Sequence, residues 1–191
     1  MRLTALAAAI VMGGLFAQPA FSAEPENTMV IELKDGDVKV ALRPDLAPKH
    51  VEQIKKLVRQ GAYDNVAFHR VIGGFMAQTG DVQFGDMENG FDPNLAGRGG
   101  SDEPDLPAEF SDVPYVRGVV GMARADDPDS ANSQFFIMFG AAPSLNGQYT
   151  VVGQVESGME HVDAIKKGNP VDNGMVSNPD RMVKVRIAAD N

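Results

Sequence analysis

Apolar and polar residues alternate over positions 37–42, where Val38, Val40 and Leu42 share one side, and this period of two predicts a strand with one buried face. A β-rich run at 29–33 precedes it, and Lys34-Asp35-Gly36 between the two supplies an Asp-Gly hairpin turn. The period then lengthens. Pro48 opens a segment in which Val51, Ile54, Leu57 and Val58 fall together and Gly61 closes it, which predicts an amphipathic helix. Short strands follow at 68–71 and 75–79, broken by Gly73-Gly74, and again at 119–122, 134–138, 150–155 and 182–187. A second short helix carries Met159, Val162 and Ile165 and ends near Gly168. From 81 to 111 the periodicity disappears into an acidic stretch punctuated by Gly and Pro, and a loop this long inside one domain is either functional or mobile. The pattern predicts a mostly β fold, a closed antiparallel eight-stranded barrel capped by two α-helices. No repeat, linker or second domain is visible.

The 191 residues are 43% apolar, enough for a real core, and the net charge of −9 excludes the basic footprint that nucleic-acid binders need. No Lys/Arg run is present to hold an anionic membrane. The first residues read as an export signal. Arg2 supplies the positive start, 3–16 is apolar and Ala-rich, and Ala20-Phe21-Ser22 offers small residues to a signal peptidase. The apolar run is short for a membrane span of about 20 residues. The expected division is a signal peptide at 1–22, with cleavage after Ser22 or else Ala23, then one domain over 23–191 in the periplasm, off the membrane. The absence of cysteine excludes a disulfide framework.

Covalent and metal chemistry find little support. There is no Gly-x-Ser-x-Gly elbow, no Ser-x-x-Lys and no zinc-binding histidine spacing. His50 and His161 read as solvated, His69 as a hydrogen-bonded structural residue, and Gly97-Arg98-Gly99-Gly100 as a plain flexible turn. Arg70 differs: a lone arginine among Phe68, Val71, Ile72, Phe75 and Met76 has a partner or faces a cleft. Gln78 can reach it across a hairpin and Gln134 from a third strand, and amides plus one cation converging on an apolar surface make a binding-site pattern.

The run Phe-His-Arg-Val-Ile-x-Gly-Phe-Met-x-Gln-x-Gly-Asp at 68–81 resembles the signature of the cyclophilin family of peptidyl-prolyl cis-trans isomerases. The stretches at 121–125, 132–137 and 145–153 match its later motifs in order, and the likeness covers about 29–188. The exported, tryptophan-free chain is most similar to the bacterial periplasmic branch. The resemblance implies an enzyme that rotates X-Pro bonds during folding of exported proteins, without cofactor or metal and as a monomer, on proline-containing unfolded or partly folded chains. It makes Arg70 the catalytic arginine, with Gln78 orienting it and the substrate carbonyl. Phe75, Met76, Phe136, Leu145 and Tyr149 become the proline pocket, with Ala123 on its rim. Gln134 lines the neighbouring groove, and the Arg124 backbone pairs with the residue before proline. Three departures stand out. Ser144 replaces an aromatic, implying weak cyclosporin binding; Tyr149 replaces a common histidine; and 85–95 resembles an insertion. The competing reading is a chaperone that captures proline segments as a holdase with little isomerase activity.

Overall fold

The computed structural model describes residues 23–190, so the export segment expected at 1–22 lies outside the described residues. Strand β1 (Thr28–Leu33) turns through Lys34 and Asp35 into β2 (Gly36–Leu42), with Leu33 opposite Gly36. Helix α1 (Pro48–Arg59) follows, then β3 (Arg70–Ile72), β4 (Met76–Thr79), β5 (Val119–Met122), β6 (Phe135–Met138), β7 (Val151–Ser157), α2 (Met159–Ala164) and β8 (Lys184–Ile187). Each strand overlaps a stretch that the pattern predicts. Their ends differ slightly because hydrogen bonding, not hydrophobicity, decides where a strand stops.

The strands join in the order β3-β4-β6-β5-β7-β2-β1-β8, and every pairing is antiparallel. The closed barrel expected from the pattern is not formed. The sheet is an open half-barrel whose edges, β3 and β8, make no ladder with each other. Isolated bridges at Ala67–Arg181 and Arg70–Met175 span the gap, with Phe68 N–H donating to the Asp180 carbonyl and Met182 N–H to that of Val66. The cause is local. Asn173 and Asn178 sit at φ 52°, and Pro179 has no N–H to donate, so this stretch cannot run as a continuous strand.

Strand alternation sorts the side chains onto two faces. Val71, Ala77, Val120, Ile137 and Val152 pack inward with Val51, Ile54, Leu57 and Val58 of α1. Met76, Phe136, Met138 and Val119 form a second apolar cluster on the other face, with Tyr115, Ile72 and Phe75 against it. That cluster is the floor of the candidate site.

His50 corrects an expectation. It is fully buried, not solvated, because it stands one turn before Ile54 on the apolar side of α1. Its Nδ1 lies 2.7 Å from Glu109 Oε2, and the same carboxylate accepts the backbone N–H groups of Lys49 and His50 at 3.2 and 3.1 Å. Glu109, from the long loop, thus satisfies donors of the first turn that have no partner inside the helix. His161 is partly buried, its ring packed against Gly36.

Candidate active site

Pairing across the sheet builds a row on the outer face. Arg70 is opposite Gln78, Gln78 opposite Phe136, and Phe136 opposite Gly121. Residues directly opposite one another hold their Cβ atoms about 4.5–5.5 Å apart, so three segments distant in sequence meet here. Beside this row, Met76 is opposite both Ile72 and Met138. Gly121 is required by close approach: a Cβ there would lie 2.4 Å from the Tyr115 hydroxyl and 2.7 Å from the Phe136 ring. The register also shifts between Val120 and Gly121, a local irregularity in the ladder at the edge of the floor.

Above this floor, Arg70, Phe75, Met76, Gln78, Ala123, Arg124, Phe136, Leu145 and Tyr149 line one cavity of about 270 Å³. Sites for whole small ligands run to about 300–1,000 Å³, so this one suits a single ring rather than a large molecule. Tyr149 meets Phe136 edge to face, ring centroids 5.8 Å apart, and forms one wall. The Arg124 guanidinium lies 4.5 Å above the Tyr149 ring and donates to the carbonyls of Gln148, Ala125 and Asp126, which locks the wall in place. The backbone N–H and C=O of Arg124 have no partner among the described residues, leaving an edge that an extended peptide can pair with.

Arg70 stands half-buried at the mouth. Its Nε donates to the Asn173 carbonyl at 3.0 Å, Nη2 to Asn173 Oδ1 at 2.9 Å, and Nη1 to Gln78 Oε1 at 3.2 Å. Nη1 also lies 3.8 Å from the Met76 sulfur. All of these partners are neutral, and among the described residues Arg70 makes no ion pair. Burial lowers its pKa, opposed by the nearby Tyr149, yet a guanidinium stays protonated in proteins.

The two glutamines are oriented from behind. The Gly99 carbonyl can only accept, so Gln134 turns Nε2 toward it at 2.7 Å and offers Oε1 to Gln78 Nε2 at 3.0 Å. Gln78 then presents Oε1 to the arginine. Gly99 itself is fixed by fully buried Asp81, whose carboxylate accepts the backbone N–H groups of Gln83, Phe84, Gly97 and Gly99. The 97–100 run is therefore a pinned turn and not the flexible one expected. The glycines are needed for space as well, since a Cβ at Gly99 would meet Asp81 Oδ1 at 2.4 Å.

Gln134 does not line the first cavity. It lines an adjoining one of about 240 Å³ together with Gln78, Arg98, Gly99, Arg124 and Asn132. No residue of 85–95 lines either cavity, so the insertion leaves both walls untouched. His69 is buried against Gly97, a structural position as expected, and burial lowers its pKa, opposed by nearby Asp81. Sequence reasoning missed Asn173. The Asn-Gly pair at 173–174 is legible as a turn, but nothing in it announces that the turn cups Arg70.

An antiparallel eight-stranded sheet with two helices, carrying on its outer face an apolar pocket for one ring and a guanidinium at the pocket mouth, defines a cyclophilin-like protein. The Cyclophilin type peptidyl-prolyl cis-trans isomerase/CLD family matches residues 28–187, and the chain belongs to that family. It is a peptidyl-prolyl cis-trans isomerase. A "Probable peptidyl-prolyl cis-trans isomerase" of Brucella suis biovar 1 is 68% identical over 173 residues, covering 91% of this chain and 88% of that protein. A peptidyl-prolyl cis-trans isomerase of Arabidopsis thaliana is 40% identical over 147 residues, 75% of this chain and 63% of its own. Among solved structures, a cyclophilin from Hirschia baltica superposes with a TM-score of 0.73 at 26% identity, covering 88% of this chain and 76% of that one. A cyclophilin-type isomerase of Cryptosporidium parvum, crystallised in the presence of the dipeptide Ala-Pro, gives 0.69 at 26% identity over 84% of this chain and 98% of its own.

Proposed function

We propose that Arg70 is the catalytic group of this isomerase, that Gln78 orients it, and that the substrates are exported proteins folding in the periplasm. The observation that carries the reading is a guanidinium with only neutral partners at the mouth of an apolar pocket. A cation neutralised by a carboxylate would have far less to offer a substrate.

Resonance gives the amide a rotation barrier of about 18–20 kcal/mol. Uncatalysed X-Pro exchange takes tens to hundreds of seconds, roughly. Twisting the C–N bond localises a lone pair on the proline nitrogen and lessens the charge on the carbonyl. A donor aimed at that nitrogen binds the twisted state better than either planar state, and this difference is what accelerates a reaction. Arg70 supplies it without transferring a proton. One charge-assisted bond contributes about 1.5–3 kcal/mol. A modest acceleration of about 10⁶ requires about 8 kcal/mol. The remainder falls to the pocket, where Phe75, Met76, Phe136, Leu145 and Tyr149 hold the ring while the preceding carbonyl turns, and to the exclusion of water that favours the planar, more polar amide. The free main-chain edge of Arg124 takes the residue before the proline. The Arg2 to Ser22 pattern supports export.

The test uses the mature protein at substoichiometric amounts with an Ala-Pro-Phe peptide. Acceleration of cis-to-trans exchange with turnover supports the isomerase. Suppressed aggregation of an unfolded protein without accelerated exchange means a holdase instead. Cell fractionation checks export: periplasmic protein beginning at Ala23 supports it, and an intact Met1 in the cytoplasm overturns it. Ser144 is exposed on a 3-10 turn beside the pocket residue Leu145 and adds no aromatic ring at that side of the rim. Cyclosporin should bind weakly, and Ser144→Trp should tighten it; no change would remove that rationale.

A further inference from the structure

The row that forms the candidate site does not end at Arg70. Beyond it, across the open edge of the half-barrel, Arg70 pairs in an isolated antiparallel bridge with Met175. Val71 N–H donates to the Gly174 carbonyl, and Val176 N–H donates to that of His69. Arg70 and Met175 are therefore the non-hydrogen-bonded pair between two ladder bonds, the arrangement in which opposed side chains approach most closely. Opposed residues also share a face. Met175 thus stands on the cleft face, next to the guanidinium and on the opposite side from Gln78.

Met175 is 54% exposed, and Val171, on the same turn, is 90% exposed. Few large apolar side chains of the described residues are exposed, and these two flank Asn173, whose carbonyl and side chain hold Arg70. Neither residue lines the 270 Å³ cavity; they form an apolar step beyond its mouth, on the turn that holds Arg70. A methionine there is unbranched and adapts to different apolar shapes.

We propose that Met175 and Val171 form a shelf for the side chain that follows the proline, and that they make the enzyme prefer large apolar residues there. This rests on the reading given above. With the proline ring in its pocket and the preceding residue on the Arg124 edge, the chain leaves past Arg70 in the remaining direction, over the 171–175 turn. The ligand class is a prolyl peptide with Phe, Leu or Met after the proline. Gly or Asp in that place gains nothing from the shelf.

The experiment measures kcat/KM for Ala-Pro-Phe and Ala-Pro-Gly peptides with wild type, Met175→Ser and the double variant Met175→Ser/Val171→Ser. Removing a few methylene contacts should lower the ratio of the two by about fivefold. Melting temperatures taken in parallel show that the fold is intact; both substitutions are at exposed positions. An unchanged ratio overturns the shelf, and so does a concentration-dependent dimer in wild type that either variant abolishes, since a second copy would then cover these residues. Failure of wild type to accelerate exchange of either peptide would instead strike the isomerase reading itself, so the two failures are distinguishable. A variant too unstable to assay is replaced by Met175→Gln, which keeps the length and removes the apolar character; the ratio must still fall.

Discussion

A guanidinium keeps its full usefulness to a substrate only when its own protein does not neutralise it, and Arg70 is held by a carbonyl, two amide oxygens and a thioether. The arginine and its glutamine were legible in the sequence because a hairpin at this spacing places them opposite each other. Asn173 was not, because it lies 103 residues away and its role depends on a left-handed turn at the open sheet edge. It gives a direct prediction. Asn173→Gly tolerates the positive φ and retains the carbonyl bond to Nε but loses Oδ1. Losing a charge-assisted bond of about 1.5 kcal/mol should lower kcat about tenfold with little change in KM. Asn173→Asp, which keeps an acceptor but sets a carboxylate against the guanidinium, should not recover it. If the glycine variant turned over at the wild-type rate, Asn173 would serve only to shape its turn. Among the described residues the cleft is lined by no histidine and no carboxylate, so it offers no acid–base pair to the reaction. A profile of kcat/KM against pH should therefore be flat between about pH 6 and 8. A bell-shaped curve would mean acid–base chemistry and contradict the donor mechanism.

At the scale of the elements, hydrophobic patterning located the eight strands and two α-helices of the described residues, by periodicity where one face is buried and by a continuous apolar run where both are, as in β5 and β6. It read the side of α1 that carries Ile54 but left His50 in solvent, because a polar residue on an apolar face is invisible without its partner. That partner, Glu109, comes from a loop with no period of its own. The loop does two jobs by hydrogen bonding alone: Glu109 caps α1, and the 97–100 turn on Asp81 positions Gln134. Burial of the Glu109 carboxylate works to raise its pKa, but bonds from the His50 ring and the backbones of His50 and Lys49 outweigh it and hold it below the ordinary 4.5. A carboxylate depressed in the folded state stabilises fully above its unfolded pKa and loses that contribution as pH falls through the folded value. Stability should therefore decline below about pH 4.5 in part through Glu109. Glu109→Gln should cost about 1 kcal/mol at neutral pH, typical of a lost cap, lowering the melting temperature by about 2–4 °C and flattening the acid limb. An unchanged acid limb would assign that limb to other carboxylates.

For the whole molecule, alternation told that a strand such as 37–42 buries one face, and the resemblance named the residues that the structure gathers around one cavity. It did not tell that the sheet stays open. Closure depends on whether the segment before β8 can run straight, and Asn173, Asn178 and Pro179 prevent it. The same irregular segment delivers Asn173 and Met175 to Arg70, so the failure to close and the furnishing of the cleft have one cause. The central claim is that Arg70 acts on the twisted amide more than on bound peptide, and the most direct measurement follows exchange of an Ala-Pro-Phe peptide by NMR with wild type and Arg70→Ala while its dissociation constant is determined for both. The account predicts exchange slowed by about tenfold to a hundredfold, the equivalent of about 1.5–3 kcal/mol, with affinity nearly retained. Exchange at the wild-type rate in the variant, or a loss of affinity large enough to explain all of the slowing, would contradict it.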